Sequence, residues 1–203
     1  AQGFQLSIEQ IEQQLAQEDY DVLVVCNPNN PTGGFIAQPQ MQQLAELTLQ
    51  YQCRMLVDEA FIEFVDDGHA PSIAQLAYRH VFVVRALTKF FALPGIRLGF
   101  AISQDLALNE RINQDREPWS VNGLAEVAAI AALQDSAYMQ DSLVWLQQQR
   151  EYLLTELQQL PGWRVFPSRV NFVLCQLPQA LTAAGLRDAL LAQGIVIRDA
   201  SNF

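Results

Sequence analysis

Polar and apolar positions change period along this chain, and the changes predict its elements. Ile8, Ile11 and Leu15 recur at helical spacing behind Ser7, with Glu9 and Gln10 in the first turn, so a capped amphipathic helix is expected over 7–18. Val22–Cys26 is a short continuous apolar run, the pattern of a buried strand. It runs into Asn27-Pro28-Asn29-Asn30-Pro31-Thr32-Gly33-Gly34, which neither helix nor strand accommodates. Met41, Leu44, Ala45, Thr48 and Leu49 form a second helical stripe. Further apolar runs follow at Met55–Val57, ending on Asp58, at Val81–Val84, ending near Arg85 and Lys89, and at Leu98–Ile102.

Strands alternating with helices predict an α/β fold with a mostly parallel sheet, whose ligands sit at the carboxyl ends of the strands. The Asn-Pro loop, Asp58 and the stretch around Lys89 all fall at such ends. An Ala-rich helix is expected from Val121 to Leu133, and a long amphipathic helix from about Tyr138 to Leu160, closed by Pro161-Gly162. Trp163–Phe166 and Asn171–Gln176 read as strands, Leu181–Gln193 as a helix and Ile195–Arg198 as a last strand. This tail predicts a small α+β lobe, with the boundary near residue 140.

Composition narrows the function. With 12 Lys+Arg against 22 Asp+Glu the net charge is -10, a field that repels nucleic acid and anionic membranes. A phosphorylated ligand must then be held by a few local groups. Hydrophobic residues are 50% and charged residues 17%, so an ordered core is expected rather than disorder. Cys26, Cys53 and Cys175 are far apart and read as reduced, buried thiols. No metal site is expected from two histidines and no ligand-spaced cysteines. With no apolar run of membrane-spanning length and no Sec-type leader, the expectation is a soluble, cytoplasmic protein. The chain opens on Ala1 and stops at Phe203 just after a strand-like run, so an incomplete copy is expected.

Lys89 is set among Phe90, Phe91, Ala92, Leu93 and Pro94. Desolvation in such surroundings disfavours an ammonium, which suits an amine that forms a Schiff base, although the same pattern fits a lysine that snorkels to water. Asp58 ends an apolar strand, where a carboxylate needs a cationic partner; a helix cap or surface turn is the competing reading.

Three separated motifs together resemble the class I/II aminotransferase superfamily of fold type I pyridoxal-phosphate (PLP) enzymes. They are Asn27-Pro28-Asn29-Asn30-Pro31-Thr32-Gly33, Val57-Asp58-Glu59-Ala60-Phe61, and Thr88-Lys89 with Arg97 eight residues on and Gly99 beyond. The match is closest to the branch holding threonine-phosphate decarboxylase and histidinol-phosphate aminotransferase. The resemblance implies a three-layer PLP-dependent transferase-like sandwich. Residues 1–140 would be the C-terminal part of the large PLP-binding domain, and 141–203 part of the small domain with its long linker helix. It implies that Asn30 bonds the cofactor's phenolic oxygen and that Asp58 pairs with the pyridine nitrogen. Lys89 would hold the cofactor as a Schiff base and shuttle protons, and Thr88 and Arg97 would bind the phosphate. Phe61 departs from the tyrosine common in relatives, so Asn30 holds the oxygen with less help. Ala86 stands where relatives often place a hydroxyl, which shifts phosphate duty to Thr88.

Glu117-Pro118-Trp119-Ser120-Val121-Asn122, Leu87-Thr88-Lys89-Phe90-Phe91-Ala92-Leu93-Pro94-Gly95 and the tail Ile197–Phe203 look more like the decarboxylase. A buried aromatic at a helix start, capped by Ser120, is the competing reading of the Trp119 segment. The implied reaction is decarboxylation of O-phosphothreonine to aminopropanol phosphate, supplying the side chain of cobalamin. The alternatives are a transaminase of the histidinol-phosphate type and a truncated fragment without catalysis. The partners implied are a small phosphorylated amino acid and a second copy in a homodimer, with no nucleic acid and no membrane. Asn171 and Arg198 are substrate-side candidates. His69, beside Asp66 and Asp67, reads as solvated, and His80 as structural. Relatives carry a phosphate-cradling turn and a ring-stacking aromatic before this stretch, and a carboxylate-binding arginine after it. The 203 residues alone are therefore expected to bind PLP poorly.

Overall fold

A computed structural model describes residues 3–65 and 72–203. The first helix, α1 (Ile8–Gln17), begins where the Ser7 hydroxyl accepts the Gln10 N–H at 3.2 Å. Strand β1 (Val22–Cys26) follows, then α2 (Gln38–Gln50), β2 (Arg54–Asp58) and two single-turn 3-10 helices at Ile62–Phe64 and Ile73–Leu76. Next come β3 (Val81–Ala86), β4 (Gly99–Ser103), α3 (Leu106–Asp115), α4 (Gly123–Gln134) and the long α5 (Ser136–Gln158). A short pair, β5 (Arg164–Val165) and β6 (Cys175–Gln176), and a last helix, α6 (Ala183–Leu191), complete the chain.

The four strands β1 to β4 form one sheet in sequence order. The pairs β1–β2 and β2–β3 are parallel, with Cys26 opposite Asp58 and Asp58 opposite Val84. Strand β4 is antiparallel to β3, with Gly99 opposite Ala86. Residues at alternate strand positions share a face. Val25, Met55, Val57, Val81 and Val83 turn to one side and pack with Met41, Leu44 and Ala45 of α2. Leu44 and Val57 are fully excluded from solvent, and burying such side chains contributes about 1.5–3 kcal/mol each. A second cluster gathers Phe61, Phe64, Leu87, Phe90, Phe91, Ala129, Leu146 and Val170, joining the sheet's carboxyl edge to α4, α5 and the C-terminal segment.

Two expectations need correction. Ile195–Arg198 forms no strand: Ile195 N–H closes the end of α6 on Leu190 O, and Val196 is 81% exposed. An apolar run becomes a strand only where another strand offers a ladder, and none does so here among the described residues. The strand expected over Asn171–Gln176 keeps only its last two residues, because Ser168 draws the preceding segment into a turn by donating to Phe172 O at 2.5 Å. No described helix is long and apolar enough to cross a membrane.

Candidate active site

Parallel pairing brings the chemistry-bearing segments to one edge. Strands β1, β2 and β3 all release the chain at the same end, and antiparallel β4 begins there. The Asn-Pro loop, Asp58–Phe61, Thr88-Lys89 and Arg97 therefore line a single rim. Gly99 is needed where β4 starts, because a Cβ there would lie 2.6 Å from the Arg85 carbonyl oxygen.

The loop after β1 is built around Asn27, which is 2% exposed. Its side chain accepts the Ile36 N–H at 2.8 Å and donates to Ile36 O at 2.9 Å, while its own N–H reaches Asp58 O at 2.9 Å. Thr32 donates to the Asn29 side chain at 2.8 Å. With these neighbours closing the loop on itself, Asn30 is left exposed, its amide without a hydrogen-bond partner among the described residues. Gly33 (φ 72°) lies against Ser168: an added Cβ would stand 2.7 Å from the Ser168 Cβ. Arg169 N–H also donates to Gly33 O at 2.9 Å, so the C-terminal segment grips the loop that carries Asn30.

Asp58 is half-buried, and its Oδ1 accepts the Ala60 N–H at 2.9 Å. Its other oxygen has no hydrogen-bond partner among the described residues. Glu59 is treated very differently. It is 1% exposed, and its carboxylate meets Arg85 Nε and Nη2 at 3.0 and 2.9 Å and the Ser72 hydroxyl at 2.7 and 2.9 Å. Arg85 also reaches Glu63 at 3.6 Å. Glu63 Oε2 is buried without a partner, and burial pushes this carboxyl above its usual range against the opposing pull of Arg85. The Glu59–Arg85 pair was missed in the sequence; an acid directly after Asp58 and a base at the end of an apolar strand were the available signal.

Lys89 corrects a further expectation. The apolar neighbours do not desolvate it: Phe90 and Phe91 turn into the core while Lys89 is exposed, its Nζ 5.8 Å from the centroid of the Phe61 ring. Adjacent residues in a turn cannot all face one side, and the aromatics take the inner positions. Phe61 in turn meets Phe172 edge-on at 5.1 Å. Thr88 is buried beside Lys89. Arg97 is exposed, has φ 57°, and donates from Nη1 to Pro94 O at 3.0 Å.

The segment before α4 also differs from one reading of it. Trp119 is 96% exposed, and the cap of α4 is Asn122, which accepts the Ala125 N–H at 2.8 Å, rather than Ser120. Asn171 is exposed between buried Val170 and Phe172, the residue that touches Phe61. Arg198 is not brought to the rim by any contact among the described residues; its guanidinium bonds Asn202 at 3.2 Å and lies over Phe203. His80 is structural, bonded to Ala45 O at 2.9 Å and to Thr48 at 3.2 Å. His69, with Asp66 and Asp67, lies outside the described residues. The three cysteines are free thiols, each pushed upward in pKa by burial. No metal-binding cluster occurs among the described residues.

One rim thus presents an amide, a carboxylate oxygen, a hydroxyl, an ammonium and a guanidinium, each with bonding capacity to spare. The guanidinium and hydroxyl can bind an anionic group, and the amide, carboxylate and ammonium match the cofactor contacts that the resemblance implies.

Comparison with known proteins converges on one family. The model of "Aminotransferase class I and II" matches residues 1–203. The chain is 37% identical over 205 residues to the threonine-phosphate decarboxylase of Salmonella typhimurium, covering 100% of this chain and 55% of that protein. It is 35% identical over 194 residues to a histidinol-phosphate aminotransferase of Oleidesulfovibrio alaskensis, covering 93% of this chain and 49% of that protein. The crystal structure of the histidinol-phosphate aminotransferase from Clostridium acetobutylicum superposes with a TM-score of 0.91 at 35% identity, over 100% of this chain and 60% of that one. The chain spans about half the length of the curated relatives it matches.

Proposed function

Since the chain belongs to the aminotransferase class I and II family, whose cofactor is pyridoxal 5'-phosphate, we propose that the rim at the sheet's carboxyl edge holds that cofactor in an enzyme acting on O-phosphothreonine. The observation that carries the reading is the convergence there of five polar groups with unused bonding capacity. When bound, the cofactor supplies an electron sink for the substrate's α-carbon. Asp58 keeps a proton on the ring nitrogen through its unpaired carboxylate oxygen, and Asn30 donates to the phenolic oxygen. Thr88 and Arg97 bind the phosphate, Arg97 as a fork-shaped donor. Lys89 would anchor the cofactor through its amine and would carry the proton that takes the place of the departing carboxylate at the substrate's α-carbon. Residues 1–140 then serve as part of a large cofactor-binding domain and 141–203 as part of a small one.

Decarboxylation to aminopropanol phosphate is preferred because the similarity to the Salmonella decarboxylase runs the length of this chain. The second reading, amino transfer from histidinol phosphate, is favoured by the superposition on the Clostridium structure. Carbon dioxide release from O-phosphothreonine separates them, measured on the full-length protein with pyridoxal 5'-phosphate and no 2-oxoglutarate. Release that vanishes in Lys89→Ala is the expected result. No release, with amino transfer once 2-oxoglutarate is added, establishes the transaminase instead.

A further inference from the structure

Arg97 sits in a left-handed backbone conformation (φ 57°) that costs an L-residue energy and persists only where the surroundings enforce it. Its own turn supplies two restraints, Ile96 N–H to Leu93 O at 3.3 Å and Arg97 Nη1 to Pro94 O at 3.0 Å. A third comes from another element. The Asn122 amide donates from Nδ2 to Ile96 O at 3.2 Å, while its Oδ1 caps α4 by accepting the Ala125 N–H at 2.8 Å. Among the described residues, no other side chain outside the turn bonds to residues 93–97. Leu93, Ile96 and Leu98 line a small apolar cleft together with Ala125 and Ala129 of α4. The helix start and the arginine turn therefore form one unit, and Asn122 is its polar joint.

Residue chemistry makes the joint specific. Serine, aspartate and asparagine all cap helices well, but an ionised aspartate has no donor and serine has one hydroxyl for both duties, whereas asparagine accepts from the helix with Oδ1 and donates to the carbonyl with a separate atom, Nδ2. We propose that Asn122 is a positioning residue: by holding the Ile96 carbonyl it fixes the backbone from which Arg97 projects, and so sets how strongly the site prefers a phosphorylated over an unphosphorylated pyridoxal. The proposal rests on the reading of Arg97 as a phosphate ligand.

The test titrates the full-length apoprotein with pyridoxal 5'-phosphate and, separately, with pyridoxal, and takes the dissociation constant of pyridoxal divided by that of pyridoxal 5'-phosphate. Asn122→Ser keeps a capping oxygen but loses the separate Nδ2 that reaches the Ile96 carbonyl; Asn122→Asp keeps shape and cap and sets a carboxylate against that carbonyl. The ratio is expected to fall about three- to tenfold in Asn122→Ser and further in Asn122→Asp, with pyridoxal affinity unchanged and the melting temperature lowered by no more than a few degrees. Equal losses for both ligands, or an unchanged ratio while Arg97→Ala lowers it, overturn the positioning role and leave the cofactor site standing. An unchanged ratio in Arg97→Ala overturns the phosphate assignment itself, and the inference with it.

Discussion

Asp58 and Glu59 are neighbours carrying the same group, yet the fold uses them in opposite ways. Glu59 faces inward, and its oxygens meet a guanidinium, a hydroxyl and a backbone N–H. Asp58 faces the rim and has one backbone bond. The two cations nearby divide similarly, with Arg85 spent on Glu59 and Glu63 while Lys89 rests only against a ring face. A charge whose bonds are complete holds a fold together. One with bonds to spare is available for a ligand, and here the two kinds alternate along the same edge.

Breaking the satisfied side should have the largest effect. Arg85→Ala leaves Glu59 buried and unpaired, so the full-length protein is expected to lose about 3–5 kcal/mol in urea unfolding. A loss under about 1 kcal/mol would show that Glu59 finds relief elsewhere. Gly33→Ala comes next, at about 1–3 kcal/mol, because it combines a positive φ with a clash against Ser168. Adding Ser168→Gly should recover the part due to the clash, and a double-mutant cycle with no coupling would rule that contact out as the cause.

The under-bonded side should give the converse. The contact of Lys89 with Phe61 is worth at most about 1 kcal/mol, so Lys89→Ala should unfold within that margin of the parent. It should also lose all cofactor that borohydride can fix to the chain, read by mass spectrometry. The smallest effect concerns Glu63. Its carboxyl is raised by burial, so the folded state binds its proton more tightly than the unfolded state does. That contribution is present below the ordinary carboxylate pKa and is lost as pH rises through the raised one. Glu63→Gln should therefore be slightly more stable than the parent at neutral pH, with the difference closing in acid. A constant difference across pH would mean that titration of Glu63 is not involved.

Much of this edge was legible in the sequence because continuous apolar runs announce buried parallel strands. Val22–Cys26 is matched residue for residue as a strand, though its expected burial holds for Val25 and not for the exposed Val22 and Val24, and Ser7 caps where its position said it would. The orientation of side chains within turns was not legible. Phe90 and Phe91 directly follow Lys89 in sequence, which suggested burial, but which of three adjacent residues faces inward depends on α4, α5 and Val170, far away in the chain. The cap of α4 was misplaced for a similar reason: Ser120 and Asn122 are both good caps, and only the carbonyl of Ile96 decides between them. Helix α3 escaped notice because its apolar side is thin and none of its residues is buried.

The reversal of β4 has a kinetic consequence. Pairing Ala86 with Gly99 closes a loop of 12 residues, whereas pairing Cys26 with Asp58 closes one of 31. The longer closure costs about 0.8 kcal/mol more in chain entropy. Pulse-labelled hydrogen exchange should then find amides of the β3–β4 ladder protected before those of β1. The lysine and its arginine neighbour would reach their places first, and the asparagine loop would close last over a rim already half built.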